Sequence, residues 1–204
     1  MLDKLVIDIE TSNSFADVGG KQNIHLLEIS VIGAYSYKRD EFLSFEKKDF
    51  PEFEKLLKDT GAFIGFALHY FDIPVLKTHF PHLLQEFKKL KVIDILEEVE
   101  NQRGHKIGLD ALAQANVNAG KTGHGLEAIE LYREGRIEEL KNYCLNDVKL
   151  TRDLYELALQ QGHLIIPSRY SMPVKINIAW PNLDDYLKEL ERIQKQTLEQ
   201  TSLF

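Results

Sequence analysis

The chain has 204 residues, of which 44% are hydrophobic and 28% charged, with a net charge of −7; that allows one large domain with a sizeable core and excludes a disordered chain. No apolar run approaches the roughly 20 residues needed to cross a bilayer, and the acids of "MLDKLVIDIE" do not suit a secretory signal. The acidic balance disfavours a broad basic grip on duplex DNA, and the single cysteine, Cys144, excludes an internal disulfide framework and fits a reducing, cytoplasmic setting.

In chain order, "KLVIDIE" reads as a strand with Leu5, Ile7 and Ile9 on one face and Val6, Asp8 and Glu10 on the other. A long polar loop follows, "TSNSFADVGGKQN". "IHLLEISVIGAYSY" and "EFLSFEK" read as two strands joined through a "KRDE" turn. "DFPEFEKLLKD" has helical spacing behind an acid and a proline, and "AFIGFAL" reads as a buried strand. "DIPVLKTHFPHLLQEFKKL" is a helix that Pro81 splits, and "KVIDIL" a fifth strand. Three helical segments follow between Gly108 and Gly162, the last of them long, periodic and closed by glycine. "HLIIPSRYSMPVKINIAW" reads as a hairpin and the remainder as an amphipathic helix. Strands interspersed with helices argue an α/β architecture, with the first strand central in the sheet and the second antiparallel to it.

Asp8 and Glu10 project from the same side of their strand, close enough to repel. Their apolar neighbours argue against a solvated sheet edge, so a divalent cation is the expected partner. In "YCLND", Tyr143 and Asp147 are four apart on one helical face. They flank an apolar stripe of Ile137, Leu140, Cys144, Val148, Thr151 and Leu154, which aims Asp147 toward the protein body. Asp72 precedes Pro74 at a helix start, where an ordinary N-cap is the competing explanation. Cys144 itself reads as a small core residue.

A "DIE" strand, a later "FD" and a "YxxxD" helix, in that order, resemble the three exonuclease motifs of the DEDD superfamily. The tyrosine four residues before the last aspartate is similar to the DEDDy branch, which includes the proofreading domain of family B DNA polymerases and related stand-alone 3′–5′ exonucleases. The resemblance spans residues 4–160. It implies a ribonuclease H-like fold with a five-stranded mixed sheet flanked by helices. Residues 1–162 would form the exonuclease domain, and 163–204 a hairpin and helix packed on it or trailing it. It also implies two magnesium or manganese ions, hard cations that favour oxygen ligands. Asp8, Glu10 and Asp147 would hold one; Asp8 would reach the other, supported by Asp72 through water. Tyr143 would position the attacking water, and Ile9, Thr11 and Phe71 would contact substrate. The implied substrates are 3′ ends of single-stranded DNA or RNA, released as nucleoside 5′-monophosphates, with no membrane partner.

The second motif departs from the family's "GxNxxxFD" pattern, because Ala67 stands where an asparagine is usual. His69 is either a compensating polar group or a partly buried structural histidine. His79 and His82 lack a third ligand and read as surface residues. Lys121 and His124, in "NAGKTGHG", do not have the spacing of a phosphate-binding P-loop. With Ala67 in mind, a non-catalytic nucleic-acid-binding or assembly module of the same fold is the alternative to an enzyme.

Overall fold

The computed structural model describes residues 2–120, 125–168 and 172–201. Lys121 and His124 lie outside them. Strand β1 (Asp3–Thr11) is followed by a 3-10 helix at Lys21–Leu26, then β2 (Ile29–Ser36), β3 (Glu41–Phe45), α1 (Phe50–Lys58) and β4 (Thr60–Gly65). Helix α2 (Asp72–His79), a short 3-10 turn at Pro81–Leu83, α3 (Leu84–Lys89), β5 (Lys91–Asp94) and α4 (Ile95–Arg103) come next. Helices α5 (Leu109–Val117), α6 (Gly125–Arg133) and α7 (Ile137–Gln161) lead to the hairpin β6 (His163–Ile166) and β7 (Val174–Asn177) and to α8 (Leu183–Thr201).

The main sheet has the order β3-β2-β1-β4-β5, with β1 in the middle. β2 runs antiparallel to β1, and β4 parallel to it. β3 pairs antiparallel with β2, and β5 parallel with β4. The expected mixed, five-stranded sheet with a central first strand is therefore present. Pro81 splits its helix as expected, since proline lacks the amide that continued helix would need.

Two expectations need correction. The fifth strand ends at Asp94: Ile95 and Leu96, read as its last residues, open α4, which Asp94 caps by accepting the Leu96 amide at 3.1 Å. Residues 24–28 do not begin β2. The Asn13 amide brackets them instead, donating to the Leu26 carbonyl at 3.0 Å and accepting the Glu28 amide at 2.9 Å. This side-chain clamp satisfies backbone groups that a longer ladder would have used, so β2 starts at Ile29.

Alternation along β1 feeds two apolar layers. Leu5, Ile7 and Ile9 pack with Phe53, Leu57 and Phe63 under α1 and α2. Val6, from the opposite face, joins a layer with Val148, Leu154 and Leu112 under α5 and α7. The hairpin and α8 add Leu164, Ile166, Ile176, Leu183 and Leu187 to that second layer. Trp180 stacks on Tyr155 of α7, with ring centroids 5.6 Å apart. Each such fully buried side chain contributes about 1.5–3 kcal/mol. No helix among the described residues is long and apolar enough to cross a membrane.

Candidate active site

β1 carries Asp8 and Glu10 on the face covered by α7, opposite Gly33 and Val31 of β2. α7 lies close because Gly33 has no side chain. A Cβ there would come within 2.7 Å of the Cys144 sulfur and 3.1 Å of Val148 Cγ2. That approach brings Asp147, one turn beyond Tyr143, onto β1. One carboxylate oxygen from each of Asp8, Glu10 and Asp147 lies within 4.8 Å of the others. Asp147 is buried, whereas Asp8 and Glu10 are half-exposed, so the cluster opens toward solvent on the strand side.

Tyr143 is 5% exposed and packs with Leu140, Cys144, Ala128 and Val31, the residue paired with Glu10. The Cys144 thiol is fully buried, with its sulfur 3.5 Å from Asp8 Oδ2. Burial first, then the charges of Asp8 and Glu10, push this thiol well above its ordinary pKa. It stays protonated and donates, which leaves the site an all-oxygen donor set. Three converging carboxylates repel one another unless a cation meets them, and hard oxygen donors fit a hard divalent ion. The residues present therefore suit a divalent metal held by Asp8, Glu10 and Asp147.

Asp72 lies outside that triplet, yet it is fastened to the same strand. Its buried carboxylate accepts the Ile9 amide at 3.0 Å. Pairing between β1 and β4 ends at Val6 and Ile64; Asp72 satisfies an amide beyond that point. Nor is Asp72 the helix cap. Phe71 holds that position, with no side-chain cap bond.

Among the predicted substrate contacts, the Ile9 side chain is buried in the apolar layer opposite the carboxylates, so only its backbone borders the site. The Thr11 hydroxyl donates to the Asn13 carbonyl at 2.9 Å. Phe71 is half-buried, edge-on to Phe15 at 5.9 Å. His69 is exposed, not partly buried, and its ring nitrogen lies 3.6 Å from Glu97. His82 pairs with Glu54 at 3.0 Å, while half-buried His79 bonds the Leu27 carbonyl at 2.8 Å and ties α2 to the loop before β2.

Asp94 was missed in the sequence. Its carboxylate accepts the Ala67 amide at 2.9 Å and the His69 amide at 3.0 Å, besides capping α4 through Leu96 and Glu97. It holds the turn that delivers Phe71 and Asp72. An aspartate directly before a helical pattern is an N-cap signal that "KVIDIL" does display. Gly33 was equally legible: a glycine inside a strand marks a close approach. Ala67 adopts φ +70°, a left-handed conformation that asparagine tolerates better than alanine. Alanine here therefore carries strain.

The model of the RNase H superfamily matches residues 5–159, and the chain belongs to that superfamily. No curated protein matches the sequence. Among solved structures, the chain is similar in fold to the family B DNA polymerase from the hyperthermophilic archaeon Pyrobaculum calidifontis. The TM-score is 0.60 at 17% identity, over 78% of this chain and 25% of the polymerase. This chain therefore spans about a quarter of that protein's length.

Proposed function

We propose that this protein is a divalent-metal-dependent 3′–5′ exonuclease acting on single-stranded nucleic acid, with residues 1–162 as the catalytic domain. The observation that carries the reading is the convergence of Asp8, Glu10 and Asp147 within 4.8 Å, with Tyr143 one turn away on the same helix. Membership of the RNase H superfamily and the fold shared with a DNA polymerase support it.

Magnesium or manganese ions, when bound, would stabilise charge on the attacking and leaving oxygens of a displacement at phosphorus. The protein's own contributions are these. Asp8, Glu10 and Asp147 would hold the cations, and Asp72, fixed to the Ile9 amide, would support a second ion. The Tyr143 hydroxyl holds the attacking water in line with the P–O3′ bond. Phe71 offers a ring against the terminal base, a contact worth about 1–3 kcal/mol and tolerant of sequence. Water gives up a proton to solvent and adds to phosphorus, the P–O3′ bond breaks, the departing O3′ takes up a proton, and a nucleoside 5′-monophosphate leaves a strand shortened by one residue.

Incubation with 3′- and 5′-labelled DNA and RNA oligonucleotides, with magnesium or manganese, tests this directly. Progressive loss from the 3′ end is expected, and no metal-dependent cleavage of any labelled strand would overturn it. The second reading, a non-catalytic module of the same fold, is favoured by Ala67 in place of asparagine. Manganese titration separates the two: an active site takes up two ions, a retired one none or one.

A further inference from the structure

We propose that Cys144 is a positioning residue of the carboxylate site: its thiol donates to Asp8 and so fixes the direction in which that carboxylate meets a metal ion. This rests on the reading of Asp8 as a metal ligand, and is independent of which bond the bound ions would help to cut.

α7 brings Cys144 onto β1 together with Asp147, because residues three apart share one side of a helix. The sulfur fills the space that a side chain at Gly33 would occupy, since a Cβ there would lie 2.7 Å from it. Gly33 pairs with Asp8 across the β1–β2 ladder. Cys144 therefore stands beside Asp8 as a cross-strand neighbour would, although it comes from a helix. Its sulfur lies 3.5 Å from Asp8 Oδ2 and 3.5 Å from the Asp8 carbonyl oxygen, and the side chain is fully buried.

Packing alone does not select a thiol here. Alanine would leave the space over Gly33 unfilled. Valine would press methyl groups against an ionised carboxylate, stripping its water without replacing the lost hydrogen bond. A thiol is small enough for the gap and carries one weak donor. Its bond to Oδ2 restricts rotation of the Asp8 carboxylate about the Cβ–Cγ bond. It also offsets part of the repulsion among Asp8, Glu10 and Asp147, whose oxygens converge within 4.8 Å.

Asp8 is the ligand whose direction matters most, because it is the one read as reaching both ions. Groups that orient a metal ligand from behind typically change metal affinity by about 10–100-fold when removed. A thiol donates more weakly than the amides and carboxylic groups behind most such ligands, so the lower end, about 10-fold, is expected for Cys144.

The test reads the hydrogen bond and the metal separately. Cys144 is the chain's single cysteine, so the S–H stretch in the infrared spectrum reports on this thiol alone. Magnesium, by drawing charge from Asp8, should weaken the bond and move the band to higher frequency; Asp8→Asn should move it the same way without metal. Manganese titration of the parent, Cys144→Ala and Cys144→Ser then measures affinity, with thermal melting to show that each variant is folded. Cys144→Ala should bind manganese about 10-fold more weakly, and Cys144→Ser, which keeps a donor, should recover most of that loss. A band that neither magnesium nor Asp8→Asn moves overturns the positioning role. So does manganese affinity that is equal in the parent and Cys144→Ala, or no better in a folded Cys144→Ser than in Cys144→Ala, or absent from the parent. If Cys144→Ala does not fold, the two band shifts decide alone. Band shifts and affinities as expected, in a protein that leaves labelled strands uncut, uphold the positioning role and refute the exonuclease reading instead.

Discussion

Gly33→Ala should damage the carboxylate site without touching any functional group in it. Gly33 pairs with Asp8 in the β1–β2 ladder, and its added Cβ would lie 2.7 Å from the Cys144 sulfur, about 0.7 Å short of ordinary contact. Either the sulfur or the whole of α7 must give way. The backbone of Cys144 is 3.6 Å from the same point, and the Val148 methyl 3.1 Å, so helix and strand are already in close contact. Overpacking of this kind costs about 1–3 kcal/mol, or roughly 3 °C in Tm per kcal/mol for a chain of this size. The larger effect falls on function, because α7 carries Asp147 and Tyr143. A misplacement approaching 1 Å can reduce catalysis by about 10²-fold. The assays are thermal melting, manganese titration and turnover of a labelled oligonucleotide, with Gly33→Ala/Cys144→Ala as the control. Removing the sulfur leaves only the Val148 contact, which a few tenths of an ångström relieves, so the double variant should regain most of the stability that the single one gives up. A Gly33→Ala protein with parental melting and manganese affinity would refute the reasoning. So would a double variant no better than the single one.

Further outcomes follow from the same geometry. Divalent ions should raise the melting temperature by mass action, and Asp8→Asn should lose most of that gain in a thermal-shift titration; an unchanged response would remove Asp8 from the metal site. Tyr143→Phe keeps the ring packing, so manganese binding should persist while oligonucleotide turnover falls by up to ~10²-fold; turnover at the parental rate would make Tyr143 a packing residue only. Ala67→Gly should stabilise the protein by about 0.5–1 kcal/mol, because glycine accepts the left-handed φ of +70° without a Cβ clash. A lower Tm would show that the Asp94-held turn is not strained at Ala67.

Much of this protein was legible in its sequence because local rules decide much of it. Two-residue alternation in "LVIDIE" placed Asp8 and Glu10 on one face, and four-residue spacing placed Tyr143 and Asp147 on one side of α7. The order of three short motifs pointed to the superfamily that the family model then showed. Proline and glycine marked where α2 stops and where α7 ends, since backbone sterics alone set those limits. Contacts between distant segments were not legible. That Asp72 would serve the Ile9 amide instead of capping its own helix depends on β4 ending short of β1. That residues 24–28 would leave the sheet depends on the Asn13 amide reaching across its loop. Spacing fixes which side chains share a face; only the packed chain, by satisfying or burying particular groups across long separations, decides what that face meets.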